Sequence, residues 1–460
     1  MLGADNALDL LSAAVRERAP DTDALDALLC ATDRHFVRFG CSTVLQSSHA
    51  WDPKVTFRAV VAGRTAEAAT SELTQRGLRA ARDRAVALAR AASATVAAPP
   101  VLPGPDGRDA VIQVAGAYDA ETAALGTATV YGPLRRAFGR ADRDGVTLAG
   151  RHVTGTRERA IVNSLGLQRY FCSTVADIKV FANDARATGY RGNVATSASM
   201  LDLDQYVESA VDKCVRSRGS ITLDPGRYDV ILEPEAVAEL LEWLSLIAFT
   251  PRSIEDGTSF LNGRIGAPVT GDRVTIYDDG WCESGVGLPA PFDREGVLKQ
   301  KVMLIDSGIG RQVVHDSASA SRMGCQSTGH AVSRDETFEG GVSPANLVFA
   351  AGDDTVDDLL GRVERGLWVT SFHYVNGLLD PRRAVMTGLT RHGTFEVTEG
   401  RLARGVHNLR FTDSILDACG RIAGVTRAQQ AIPTWWSYLG ASVAPTVLIR
   451  GLAFTGQTIE

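Results

Sequence analysis

Three side chains of different chemistry lie on one helix that the sequence predicts from Pro234 onward, directly after a short apolar strand. Apolar residues recur at helical spacing after this proline, which suits a first helical position. The helix carries Glu242, Trp243 and Ile247. A zinc site that activates water needs about three imidazole, thiolate or carboxylate ligands and a nearby base. Because an indole and an aliphatic side chain cannot ligate zinc, the helix predicts no metal site.

Two other groups of residues invite a chemical interpretation. His315, Cys325 and His330 carry zinc-ligand atoms, but their intervals match no usual zinc spacing and they fall in a Ser/Ala/Gly-rich loop. Asp293 and Glu295 form either a carboxylate pair for acid/base chemistry or the polar residues of a glycine-bounded turn. The loop composition favours no metal at the first group and a turn at the second.

Aromatic residues and a histidine mark two further positions. His373 follows an apolar strand, and it either faces a substrate channel or is a hydrogen-bonded histidine at a strand end. Trp435 and Trp436 precede the last predicted strand, where they line a peptide groove or subunit interface, or fill the core. We therefore treat these three residues as channel or interface candidates.

Short motifs in a fixed order give the chain a family resemblance. They are Gly257–Ser259, Gly263–Gly266, Phe292–Gly296, Ser327–His330 and Gly366–Thr370. Their sequences resemble those of the TldD and TldE (PmbA) proteins, the paired subunits of a bacterial metalloprotease. The resemblance covers essentially the whole chain.

The resemblance also implies what the predicted helix has lost. Counting back from the glycine motifs, Glu242 and Ile247 fall where the TldD half has the two histidines of a His-Glu-x-x-x-His motif, and Trp243 falls where it has the glutamate. The family's third ligand is a cysteine in the loop before the last strand, and this chain has none after Cys419. The chain thus resembles the TldE half, which lacks the metal. Without the resemblance, Glu242 and Trp243 read as surface residues of an ordinary amphipathic helix.

Composition limits the partners. The chain of 460 residues has a formal net charge of −6 and a pI near 5.8, so it offers no basic field for nucleic acid or an anionic membrane. It shows neither a signal peptide nor an apolar run long enough for a membrane span. Seven dispersed cysteines favour free thiols. We expect a cytoplasmic protein.

The predicted fold is α+β with two domains, residues 1–220 and 221–460. The first domain layers helices on antiparallel strands, among them residues 35–44 and 55–62 around a turn at 51–53.

The same domain is predicted to contain paired strands at 148–157 and 158–164. The second domain consists of many short strands separated by turn residues, which predicts an antiparallel barrel or sandwich.

These observations lead to one functional hypothesis with two alternatives. The resemblance implies a non-catalytic, metal-free subunit whose TldD-type partner holds zinc and whose substrate is an extended, unfolded peptide, including precursors of peptide natural products. The alternatives are a small-molecule enzyme that acts alone and a homodimeric peptide-binding module.

Overall fold

An antiparallel sheet of six strands organises the first half of the chain. The computed structural model describes residues 1–17, 21–93, 100–333, 336, 341–433 and 440–457. The strands of this sheet are β1 (Ala24–Gly40), β2 (Thr43–Val61), β3 (Arg64–Thr70), β4 (Thr147–Asn163), β5 (Gln168–Asn183) and β6 (Thr188–Ala195). Their spatial order is β3-β2-β1-β4-β5-β6.

Helices cover one face of this sheet. They are α1 (Ala4–Arg16), α2 (Gln75–Ala91), α3 (Ala120–Ala124), α4 (Tyr131–Arg143) and α5 (Leu203–Arg216). Side chains alternate along β1, and the odd-numbered ones face the helices. Leu25 and Leu29 pack with α1 and α2, and Val37 and Phe39 pack with α4 and α5. The even-numbered residues of β1 point away from the helices.

The first two strands form one long hairpin, so the predicted turn at residues 51–53 is wrong. The chain reverses at Cys41 and Ser42, whose φ angles of 49° and 53° are those of a two-residue hairpin turn. Pro53 lies within β2 beyond the end of β3, where β2 is an edge strand and the missing N–H breaks no ladder. The Asp-Pro pair therefore marks an edge and not a turn.

A single strand likewise replaces the predicted pair at 148–157 and 158–164. Gly155 lies inside β4, and a Cβ atom there would come within 2.0 Å of the Asp33 carbonyl oxygen on β1. The glycine is required because the two backbones approach closely, not because the chain turns.

A second sheet, of eleven strands, contains a closed barrel. Its strands are β7 (Gly226–Leu232), β8 (Ile276–Asp278), β9 (Val302–Asp306), β10 (Ile309–Gly310), β13 (Leu347–Phe349), β14 (Arg365–Asp380), β15 (Val385–Thr398), β16 (Arg401–Gly405), β17 (Leu409–Ser414), β18 (Ile422–Pro433) and β19 (Ala441–Gln457). Strands β11 (Ala331–Val332) and β12 (Gly341–Val342) form a separate pair. The ring β7-β14-β15-β17-β19 closes because β19 pairs with β7. The predicted α+β class with a β-rich barrel is confirmed.

The remaining helices belong to this second half. They are α6 (Pro234–Ala248), α7 (Pro251–Glu255), α8 (Ser317–Met323), α9 (Val356–Gly361) and α10 (Ile415–Cys419). No strand is shared between the six-stranded and eleven-stranded sheets, and we propose that a domain boundary lies near residue 220. Among the described residues, no helix is long and apolar enough to cross a membrane.

The motif Phe292–Gly296 joins the two sheets through buried charges. Arg294 donates to Oδ1 of Asp26 at 2.6 Å, and Arg58 on β2 donates to the other oxygen of the same carboxylate at 2.8 Å. Asp26 lies on the even face of β1 and is completely buried. Breaking a buried ion pair leaves a charge without compensation, so this contact makes the position of each sheet depend on the other.

We therefore predict that Arg294→Met lowers the free energy of unfolding by about 3 kcal/mol or more, because the Asp26 carboxylate loses one of two cations. Urea denaturation measures the change. The control is Arg404→Met, which removes an exposed arginine paired with Glu396 and should change stability little. Equal effects of the two variants would contradict the structural role of Arg294.

Candidate functional site

Helix α6 begins where β7 leaves the barrel, and its first residues place two carboxylates between the sheets. Glu233 is the N-cap residue, with Pro234 at the first helical position as predicted. The backbone N–H of Glu233 donates to the Val369 carbonyl of β14 at 3.0 Å. This bond fixes the helix start against the barrel wall.

Four side chains donate to the buried carboxylate of Glu233. They are Lys213 at 2.7 Å, Arg191 at 3.3 Å, Trp368 at 2.6 Å and Thr370 at 3.0 Å. Burial alone would raise the pKa of Glu233, but the cations Lys213 and Arg191 outweigh it and the pKa is lowered. The carboxylate is therefore ionised and holds α5 and β6 of the first half against α6.

Glu235 lies one residue beyond Pro234 in the opposite electrostatic situation. It is buried, the nearest cation is Arg191 at 3.7 Å, and neither carboxyl oxygen has a hydrogen-bond partner among the described residues. Burial, together with the charge of Glu233, raises the pKa of Glu235. At the start of α6, the surroundings thus stabilise the ionised form of Glu233 and destabilise that of Glu235.

Glu242 and Trp243 are buried, so their interpretation as surface residues is wrong. Their exposed fractions are only 5% and 8%. Glu242 interacts electrostatically with Lys179 of β5. Burial lowers the pKa of Lys179, and Arg151 lowers it further, whereas Glu242 acts in the opposite direction. Charge complementarity occupies the position where the resemblance would put a first histidine.

Ile247 and Trp243 complete the helix in apolar surroundings. Ile247 is 3% exposed and belongs to the barrel's main hydrophobic core. The ring of Trp243 packs against β14, where a Cβ atom at Gly377 would lie 2.8 Å from it. Two of the three residues aligned with the metal motif are therefore part of the same hydrophobic core.

We name the charged residues around this helix the α6 charge cluster: Glu233, Glu235, Glu242, Lys179, Arg191 and Lys213. Its acids come from the second half of the chain and its bases from β5, β6 and α5 of the first. Among the described residues, α6 contributes no member to a group of three ligand-type side chains close enough to share an ion. The residues do not fit a zinc ion, since an indole and an aliphatic side chain supply no ligand and Glu242 is the only carboxylate of the aligned motif.

The other candidate residues are dispersed. His373 lies half-buried on β14, 4.2 Å from the ring of Tyr374, and burial lowers its pKa. It lies outside the α6 charge cluster as defined. Trp435 and Trp436 lie outside the described residues.

Sequence reasoning missed His392, which contacts the first sheet. Its ring lies 5.1 Å from Phe181 and 5.8 Å from Tyr190, and burial lowers its pKa to about 3. A neutral imidazole is thus packed between the sheets close to Lys213, which also lowers the pKa of His392. Only the register of β15 brings this histidine there, and no local sequence signal could have found it.

The histidine and cysteine group in the loop does not converge. His330 is fully buried and its Nε2 lies 2.9 Å from Oδ1 of Asp278, while Cys325 is exposed. His315 is buried and contacts Ser319 of α8. The Thr328 hydroxyl links the His315 backbone to the His330 ring, but the three residues form no group of ligand atoms close enough to share an ion among the described residues.

Asp293 and Glu295 are turn residues with unusual titration. Asp293 accepts backbone N–H groups from Glu295, Val297 and Ala331, as the turn interpretation requires. Burial and the charge of Glu295 nevertheless raise the pKa of Asp293 to about 7. Glu295 accepts from Ser317 and pairs with Arg58.

Known proteins resemble this chain in both sequence and fold. Residues 225–456 match the family described as the PmbA/TldA metallopeptidase C-terminal domain. A metalloprotease of Methanothermobacter thermautotrophicus is 23% identical over 226 residues, which are 49% of this chain and 48% of that protein. A metalloprotease TldD homologue of Haemophilus influenzae is 29% identical over 173 residues, 36% of this chain and 34% of that one. The matched regions span about half the length of the curated relatives, or less.

The similarity of fold extends further than that of sequence. The crystal structure of TldE from Thermococcus kodakarensis aligns with a TM-score of 0.85 over 97% of this chain and 100% of that one, at 17% identity. This alignment shows that both sheets and their arrangement recur in a known protein.

The two carboxylates at the start of α6 predict opposite effects of the same substitution. A lowered pKa means that Glu233 stabilises the fold above its ordinary value of 4.5, and that this contribution is lost as the pH falls through the folded-state value. A raised pKa means that the contribution of Glu235 is full below 4.5 and is lost as the pH rises.

At pH 7 we therefore expect Glu233→Gln to lower the free energy of unfolding by about 2 kcal/mol or more, and Glu235→Gln to raise it by about 1 kcal/mol. Urea denaturation at pH 7 and near pH 4 measures both effects. The gain from Glu235→Gln should shrink at the lower pH. Destabilisation by both variants at pH 7 would contradict the assignment for Glu235.

Proposed function

Because the chain belongs to the PmbA/TldD metallopeptidase family, we propose that it is the subunit without catalytic zinc of a heterodimeric TldD/TldE-type metalloprotease. In this proposal a TldD-type partner holds the zinc. The present chain forms a wall of the shared chamber, and the complex cleaves extended, unfolded peptides. The observation that supports the proposal is the surroundings of Glu242, Trp243 and Ile247.

The chemistry of these positions argues against hydrolysis by this chain alone. Ile247 has no lone pair and is packed in the core. Trp243 cannot accept a proton from water, and Glu242 faces a lysine. A catalytic zinc site keeps an open position for water among its ligands, whereas Glu242, Trp243 and Ile247 are all buried.

Exposed apolar residues at one end of the barrel support a subunit contact. Tyr374, Leu378 and Leu379 of β14 are 79%, 61% and 54% exposed. Tyr374 has a left-handed backbone with a φ of 51° at a register shift between β14 and β15. Large apolar residues that are exposed together mark interaction surfaces, and aromatics are enriched there. We assign this surface to the TldD-type partner.

We propose that the substrate of the complex is a peptide in extended form. An extended peptide can add to a sheet edge by backbone hydrogen bonds, which read shape and not sequence. Unfolded proteins and ribosomally made precursors of peptide natural products share this extended form. We propose that the complex works in the cytoplasm, where reducing conditions keep dispersed cysteines as thiols.

Co-expression with a His-Glu-x-x-x-His protein of the TldD type from the same genome tests the assignment. We expect the two chains to elute together in size-exclusion chromatography and to cleave an unfolded peptide, which neither chain cleaves alone. Replacing the partner's motif glutamate by glutamine should abolish cleavage, whereas Glu242→Gln in this chain should leave the chemistry intact.

The proposed contact surface has a matched control. Leu378→Asp should weaken co-elution, because it places a charge in the apolar surface. Leu165→Asp changes a leucine of similar exposure, 53%, in the turn between β4 and β5, and should have no effect. Elution of the wild-type chain alone, or peptide cleavage by it alone, would refute the proposal and favour the homodimeric module or the independent enzyme.

A further inference from the structure

Three side chains with metal-ligand chemistry converge on the β1–β2 hairpin. Asp33 and His35 are two residues apart on β1 and project from the same face of the sheet. His49 on β2 is the direct cross-strand partner of His35. Within the part of the chain that the structure describes, these three residues form a group whose ligand atoms all lie within 4.8 Å of one another.

The geometry inside this group leaves one nitrogen unsatisfied. The imidazole rings of His35 and His49 are stacked, with centroids 4.1 Å apart and planes inclined by 10°. Nε2 of His49 lies 2.5 Å from Oδ1 of Asp33. Nδ1 of His35 is buried and has no hydrogen-bond partner among the described residues. A buried polar atom without a partner costs free energy, which a ligand at this point would recover.

We propose that Asp33, His35 and His49 bind one divalent transition-metal ion such as Zn²⁺, Co²⁺ or Ni²⁺. Two imidazoles and one carboxylate form a donor set that binds these borderline cations in preference to Mg²⁺ or Ca²⁺. The strands fix the three Cβ positions, so only side-chain rotations are needed to bring the lone pairs onto one ion.

The surroundings allow an ion to enter. The side chains of His49 and Asp33 are 53% and 32% exposed, so water can complete the coordination from the outer side. On the other side of β1, Thr154 and Thr156 of β4 are the cross-strand partners of His35 and Asp33, and both threonines are buried. The site is therefore closed by the sheet on one side and open to solvent on the other.

This site is separate from the α6 charge cluster and does not rest on the proposed function. Lys179 is paired with Arg151 on β4, and Arg151 is paired with Arg38 on β1. Arg38 and His35 are three residues apart in one strand, so their side chains project from opposite faces of the sheet. An ion here would connect β1 to β2 beyond the end of β3, where β2 is an edge strand.

Metal titration of the full chain tests the proposal. The purified protein is stripped with a chelator and titrated with Zn²⁺ in a calorimeter and with Co²⁺ by visible absorption. We expect one saturable site in the wild type. His49→Ala and, independently, Asp33→Asn should each weaken binding at least about tenfold. Loss of a metal ligand should lower the affinity more than loss of a residue that only hydrogen-bonds to a ligand.

Matched variants separate this site from the alternatives. His407→Ala removes an exposed histidine far from the group in sequence and should bind as the wild type does. Glu242→Gln should also bind normally. Circular dichroism checks that each variant is folded. Absence of a saturable site, or wild-type binding by folded His49→Ala and Asp33→Asn, would overturn the proposal. Loss of binding in Glu242→Gln alone would place the ion at α6 and contradict the proposed function instead.

Discussion

A carboxylate taken out of water stays ionised only if hydrogen-bond donors and cations replace the water, and this constraint governs how the two sheets meet. Asp26 and Glu233 are two buried acids that satisfy it, the first with Arg58 and Arg294, the second with Lys213 and Arg191. In both cases the acid and at least one base come from different halves of the chain. Neither half can therefore bury its charge at low cost without the other.

The same constraint gives helix α6 its meaning. A helix with apolar residues on one side and three glutamates on the other would normally present the acids to solvent. Here Glu235 and Glu242 are buried, and Arg191 and Lys179 of the first sheet interact with them electrostatically. A carboxylate, an indole and an aliphatic side chain thus occupy the three positions that the sequence resemblance aligns with a metal motif. These side chains supply at most one zinc ligand, which is why we propose a subunit and not an independent hydrolase.

The two faces of β1 show how one strand serves two purposes. Its even residues, such as Asp26, meet the second half of the chain. Its odd residues meet the helices near both ends and, at Asp33 and His35, approach His49 instead. The alternation of a strand separates these surroundings completely, so a cation at the hairpin and the charges around α6 would not compete.

Local sequence patterns determined much of this architecture. The strand before Pro234, the helix after it and the α+β class all follow from apolar periodicity and turn residues, which act within a few residues. The family motifs also located the helix whose ligands are missing, because they are short and occur in a fixed order. The predicted turns at Pro53 and Gly155 were wrong. Pro53 lies on the edge of the sheet, and Gly155 allows β4 to approach the backbone of β1 closely. Both roles are set by neighbouring strands.

The tertiary structure alone decided which residues share a site. Glu242 and Trp243 look like solvent-facing residues in the sequence but are buried in the folded chain, Trp243 against β14. His392 reaches Phe181 only through the register of β15, and His35 meets His49 only because the hairpin turns at Cys41 and Ser42. The physical reason is common to all three: helix and strand periodicities are local properties, whereas burial and cross-strand pairing depend on residues distant in the chain.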